Sequence, residues 1–283
     1  MKRIISKILS LVIMTGLLVI SFTACGKSKD ATSAVEDRVV LASEAFNREG
    51  IWFGFEDYVT KDEEIKYILV FDGKGNVTRY KTFKPYIDQA RITFADLNGL
   101  SDEEIIELAK ELDKLIFEEE IKEKISDGTY WIEELSRFVN NPDPDSPPED
   151  RERLQESLDA ALALESKMKE AVYQEPEAYP FTLKIETDGT GNQTSKEFLK
   201  YSYLDSDLDA SGRFITDDLT MDEVNQWEAK IEKEDELDIS PRSENMTVYD
   251  MQFSGFIHLV EIVGDKQPIY SFDSPDTEGI EVD

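Results

Sequence analysis

The chain contains one cysteine, Cys25, so no disulfide within it can staple the fold and a core of buried side chains must do that work. Composition permits such a core: 40% of residues are hydrophobic, with 15 Phe, 11 Tyr and 3 Trp. That content separates the chain from disordered acidic tails, although acidic residues outnumber basic ones by 62 to 31. The length allows one domain or two small ones. The charge balance argues against nucleic acid as a partner and against lying flat on an anionic bilayer, since both demand clustered Lys and Arg. Its default role is a solvated surface that keeps a folded domain dispersed.

The residues around Cys25 are ordered in a telling way. Lys2, Arg3 and Lys7 form a basic start, an apolar run follows from Ile8 to Phe22, and Thr23-Ala24 place small residues before the cysteine. Basic, apolar and small-residue regions in that order are the parts of a secretory signal. A cysteine directly after Ala24 gives it the form of a bacterial lipoprotein signal, with residues 1–24 removed and a diacylglycerol joined to Cys25 by a thioether. Phe22 departs from the leucine usual three residues before such a cysteine. Two acyl chains anchor stably where one is marginal. The expected address is therefore the outer face of the cytoplasmic membrane, reached by general secretion, with the membrane as partner through Cys25. An uncleaved spanning helix is disfavoured, because the apolar run is shorter than the roughly 20 residues a span needs. Residues 25–40 then read as the lipidated cysteine and a flexible tether, and 41–283 as a single acidic domain.

Within that domain the hydrophobic period changes twice. From Gly50 to Phe94 it is strand-like: Ile65 to Phe71 is aromatic and β-branched, Asp72-Gly73-Lys74-Gly75 supplies turn residues, and Val77 to Phe83 alternates. From Asn98 the period is helical. Ser101 and Glu104 make a capping box, and Ile105, Leu108, Ala109, Leu112, Leu115 and Ile116 form one stripe. A separate short helix is expected over Tyr130–Val139, broken by the prolines between Asn141 and Pro148. A further helix is expected over about 149–173, with Leu154, Leu158, Ala161, Met168 and Val172 on its buried face. After Pro180 strands return, with a helix opened by the Thr220–Glu223 capping box and running through Trp227 and Ile231. Strands, then helices, then strands predict an α+β fold with a mainly antiparallel sheet built from the N- and C-terminal segments around a central helical stretch. The frame D-G-x-G-N-x-T occurs at Asp72–Thr78 and again at Asp188–Thr194, which raises the possibility of a duplicated hairpin; turn-favouring residues recurring by coincidence are the rival reading.

Catalytic chemistry finds little purchase. Cys25 is committed to lipid. His258 is the one histidine, which removes His-rich zinc sites and leaves a Ser-His-Asp triad a single candidate base, in an apolar stretch that reads as an ordinary strand. No phosphate-cradling loop, dinucleotide fingerprint or nucleophile elbow is present. Trp52, Trp131 and Trp227 all read as core residues rather than sugar platforms. Asp205, Asp207 and Asp209 place three carboxylates at alternate positions, as the first half of a calcium loop does. Ala210 stands where that loop needs glycine, and Thr216 where it needs an acid, so a solvated acidic loop is the competing reading of this candidate metal site. No other cofactor is expected.

Several segments carry a resemblance. Gly50-Ile51-Trp52-Phe53, Val70 to Thr78, Leu97 to Asp102, Val248-Tyr249-Asp250 and the ending Asp273 to Asp283, together with the Cys25 signal, resemble an uncharacterised family of cell-surface lipoproteins of Gram-positive bacteria. The resemblance implies localisation and a single architecture, and no catalytic residues. The expected function is a non-enzymatic binding or envelope-associated module. The alternatives are a substrate-binding subunit of a transporter, which calls for two lobes of alternating strands and helices, and a cell-wall glycan hydrolase, which calls for two close acids, one of raised pKa, in a groove.

Overall fold

The computed structural model describes residues 38–145, 147–206, 219–264 and 268–283. The expected hairpin from Gly50 is the centre of a sheet. Strands β2 (Glu49–Gly54), β3 (Tyr67–Asp72) and β4 (Asn76–Lys81) form an antiparallel meander, with Trp52 opposite Leu69 and Leu69 opposite Arg79. Successive side chains leave a strand on opposite faces, and here both faces are covered. Phe53, Ile68, Tyr80, Phe253 and Val260 share one cluster with Ile105, Ala109, Leu112 and Ile116 of a long helix. Trp52, Leu69, Phe71 and Val77 point the other way, into a cluster with Leu183, Leu199, Tyr201 and Phe46. Two-sided burial explains why Tyr67 to Phe71 is a continuous apolar run rather than an alternating one.

Phe46 reaches that second cluster from a short helix, α1 (Ala42–Phe46), which follows strand β1 (Val39–Leu41). Its ring lies 4.9 Å from those of both Trp52 and Phe71. Residues 39 and 40, expected in the tether, thus belong to a strand. β1 pairs in parallel with β11 (Ile269–Ser271), outside the main sheet.

The chain leaves β4 through a 3-10 turn at Phe94–Leu97 and enters α2 (Asp102–Asn140). The expected capping box closes its start, with the Glu104 N–H donating to Ser101 Oγ and the Ser101 N–H to Glu104 Oε2 at 2.9 Å. The two helices expected over 98–139 are one helix of 39 residues. Gly128 is buried within it, and Ile125, Ile132, Leu135 and Val139 pack with Leu158, Ala161 and Leu164 of α3 (Pro148–Glu170). A mid-helix glycine costs about 1 kcal/mol, less than the burial of four apolar side chains returns. The α3 helix stops before Val172, which is 77% exposed rather than on the buried face.

Strands β5 (Tyr179–Thr187), β6 (Thr194–Asp205) and β7 (Ile231–Asp238) continue the sheet beyond β4. Between β6 and β7 lies α4 (Met221–Gln226), which carries the second capping box and ends at Trp227. It does not run through Ile231, which opens β7. The tail adds β8 (Met246–Val248), β9 (Met251–Phe256) and β10 (Leu259–Val263), and β10 returns to pair with β2. The strand order is β7-β6-β5-β4-β3-β2-β10-β9-β8, and β12 (Glu281–Val282) lies parallel beside β5. The fold is α+β, with a mostly antiparallel sheet and a central helical stretch. No helix among the described residues is long and apolar enough to cross a membrane.

The two D-G-x-G-N-x-T frames close adjacent hairpins, β3–β4 and β5–β6. Each aspartate accepts from the N–H groups two and four residues on: Asp72 Oδ1 from Lys74 and Asn76, Asp188 Oδ1 from Thr190 and Asn192. The backbones nonetheless differ. Gly73 has φ +67 while its counterpart Gly189 stays out of the left-handed region, and only the second glycines, Gly75 and Gly191, agree. Shared aspartate turn chemistry accounts for the common frame, and the turns do not support duplication.

Candidate functional site

Cys25, Asp207 and Asp209 lie outside the described residues. Asp205 ends β6 and faces a polar network where β4, β6, β7 and α2 meet. Lys81 Nζ is 2.5 Å from Asp205 Oδ1 and Lys233 Nζ 3.0 Å from Oδ2. Burial alone would raise the Asp205 pKa; the two ammonium groups outweigh it and hold the carboxyl at about 2. A cation arriving at Asp205 would compete with both lysines. Among the described residues no group of three or more His, Cys, Asp or Glu is arranged to hold a metal ion.

Two further acids complete the network. Glu120 is 3% exposed, accepts from Ser206 Oγ at 2.5 Å and lies 2.9 Å from Lys84 Nζ. Asp113 accepts from the Lys81 backbone N–H, the Tyr173 hydroxyl at 2.8 Å and Lys230 Nζ. Both sit in phase with the apolar stripe of α2: Ala109, Asp113, Ile116 and Glu120 follow at steps of four, three and four. Neither was expected from the sequence; the signal that could have found them is a carboxylate in the phase of a buried stripe. The space they enclose with Lys81 and Asp205 is about 10 Å³, room for about one water and for no substrate. Chemically this is a set of mutually neutralised ions that ties the helix to the sheet.

A second buried group is built from acids alone. Glu197 lies in β6, in register with inward-facing Leu199 and Tyr201, and is fully buried. Its Oε2 accepts the Asp273 N–H at 2.9 Å, and its Oε1 has no hydrogen-bond partner. Asp273, also fully buried, accepts from the N–H and Oγ of Ser43 at the start of α1, and its carbonyl accepts from Thr194 Oγ1. Burial, with a contribution from the Asp273 charge, pushes the Glu197 carboxyl up to about 8. Two close acids, one of raised pKa, are what glycoside hydrolysis needs, but this pair is sealed from solvent and clamps the C-terminal segment onto α1 and β6.

The aromatic candidates separate. Trp52 is fully buried between Phe46 and Phe256, and Trp227 packs beside α3. Trp131, expected in the core, is 51% exposed, beside Tyr130 and one helical turn pair from Phe138, both also exposed. The second half of α2 meets α3 along one stripe only, and Trp131 lies on its flank. His258 sits exposed in the turn between β9 and β10, not within a strand; its carbonyl accepts the Phe55 N–H.

Arg79 of β4 lies over the rings of Tyr203 and Tyr67, 3.9 and 4.6 Å from their centroids, and 3.4 Å from Asp235 of β7. Gly54 leaves the room Tyr67 needs, since a Cβ there would stand 2.2 Å from its ring. On the opposite face of β5, β6 and β7 a cleft of about 220 Å³ opens to solvent, lined by Pro180, Thr182, Lys200, Ser202, Glu234 and Glu281. It is shallow and polar, without the greasy wall of a small-molecule pocket.

No family model matches the chain, and no curated protein or solved structure matches it.

Proposed function

We propose that the protein is a lipid-anchored lipoprotein on the outer face of the cytoplasmic membrane, displaying its α+β domain as a non-enzymatic binding or envelope-associated module. The observation that carries this is the position of Cys25: the one sulfhydryl in the chain, after Ala24, at the end of a basic-then-apolar leader. The resemblance to Gram-positive cell-surface lipoproteins supports the same address. The features of the folded domain favour display over catalysis. Its two buried acid groups are neutralised by lysines or closed off from solvent, while aromatic side chains and a long strand edge are presented outward.

The alternatives draw less support. A transporter receptor is built from strand–helix alternation in two lobes, whereas here a meander of antiparallel strands runs through one sheet. A glycan hydrolase needs its acids in a groove, and the Glu197–Asp273 pair has none.

Labelling cells with radioactive palmitate tests the anchor. The expected result is a labelled protein in the membrane fraction, with Cys25→Ser unlabelled and either released to the medium or held as the longer precursor. Unlabelled protein retained on the membrane to the same extent as wild type would sink the reading.

A further inference from the structure

Among the described residues the sheet ends at β7, and no strand covers its outer edge. Its pairing to β6 is regular over all eight residues, from Phe198 opposite Asp238 to Asp205 opposite Ile231, with no bulge. There is no proline in it, and among the described residues no strand pairs with its outer side. The opposite edge, β8, is only three residues long. Long regular edges are templates for another strand, and proteins usually blunt them with prolines, bulges, short length or charge. On β7 only charge is used.

The core also stops one strand short at this end. Inward-facing Glu197, Leu199 and Tyr201 of β6 are buried, yet their neighbours on β7, Asp235 and Leu237, are only half-buried. A further strand beside β7 would cover that row. The outward row of β7 is Glu232, Glu234, Glu236 and Asp238, all exposed, a line of carboxylates at every second position. Opposite charges directly across a strand pair stabilise it, and like charges destabilise it. Such a row repels a second copy of β7 and any acidic segment, and it favours a strand with Lys or Arg at alternate positions.

We propose that β7 is a docking edge, to which an extended, basic segment of a partner protein adds as a further strand. Backbone pairing supplies the contact and the carboxylate row supplies the selection. This rests on the reading of the domain as a binding module and names the chemistry of its partner. It is independent of the lipid, so a chain shown to lack the anchor but to pair with a basic strand would overturn only the address.

The test uses the full chain in detergent micelles and an alternating lysine–threonine peptide matched in length to β7. Two controls accompany it: the same peptide with alternate backbone amides N-methylated, and a glutamate–threonine peptide. Fluorescence anisotropy is expected to show binding of the basic peptide, at least tenfold weaker binding of its N-methylated form, and none of the acidic peptide. Hydrogen exchange of β7 amides should slow at least tenfold on binding, with the β8 edge unchanged. The double variant Glu232→Gln/Glu234→Gln should bind several-fold more weakly while its melting temperature holds. Equal binding of the N-methylated peptide would reduce the effect to charge attraction and overturn the proposal. So would unchanged exchange in β7, no binding of the basic peptide, or equal binding of the acidic one.

Discussion

Two carboxyl groups on the same strand, half-buried Asp205 and fully buried Glu197, show opposite behaviour. Asp205, at one end of β6, is held at about 2, and Glu197, eight residues back, is pushed to about 8. Burial acts on both in the same direction, raising the pKa. Lys81 and Lys233 reach Asp205, whereas Glu197 meets only the Asp273 N–H and a second acid. The lesson is that depth raises a carboxyl here unless cations reach it: burial sets Glu197, and two lysines override burial at Asp205. The Asp205 end is an ionic joint between α2 and the sheet; the Glu197 end is a clasp held best when it carries a proton.

The sharpest way to break that comparison is a pH titration of stability. Glu197 has a folded pKa raised above its ordinary value of 4.5, so its contribution is fully present below about 4.5 and lost as pH rises to about 8. The loss is at most about 5 kcal/mol at 1.36 kcal/mol per unit. Urea unfolding of wild type across that window should show the decline, and Glu197→Gln should remove most of it. An identical slope in the variant would show that Glu197 is ionised without penalty.

Lys81→Met should come next, at about 3 kcal/mol, because it leaves Glu120 and Asp205 buried with one cation fewer. Its Asp205 should also titrate higher, measurable by NMR. Asp205→Asn tests the acid limb. With the folded pKa depressed, Asp205 contributes above about 3.8 and loses that contribution as pH falls to about 2, a difference of about 2 kcal/mol. The variant should lack that limb in an acid unfolding curve. Ser101→Ala should cost about 1 kcal/mol by removing a cap, read as a lower urea midpoint. Trp131→Ala should change stability by less than about 0.5 kcal/mol, since its ring is half in solvent; a large loss would place it in the core after all.

Much of this fold was legible because apolar periodicity reports burial directly. The strand-like run from Gly50 to Phe94, the start of α2 at Ser101, the break after Asn140 and the return of strands after Pro180 all follow from it. What escaped was structure whose residues are not apolar. The β7 strand, Ile231 to Asp238, alternates exposure perfectly but does so with acids, because an edge strand has one inward row and that row is only half-buried. The short α1 and β1 carry too few residues to show a period. The helix expected over Tyr130–Val139 is continuous with the one before it, and only the packing of α2 on α3 reveals why. The buried acids were hidden among 62 candidates; phase with an apolar stripe singles out Asp113, Glu120 and Glu197, whereas alternate spacing singled out Asp205, Asp207 and Asp209. Of those three, the described structure reaches Asp205, and there the neighbours are lysines.

Everything assigned to address depends on the thioether at Cys25. Intact mass spectrometry of the protein extracted from membranes reads it directly. A chain beginning at Cys25 and heavier by a diacylglyceryl group is the predicted result. A mass that includes residues 1–24, or a mature chain with a free thiol, would contradict it.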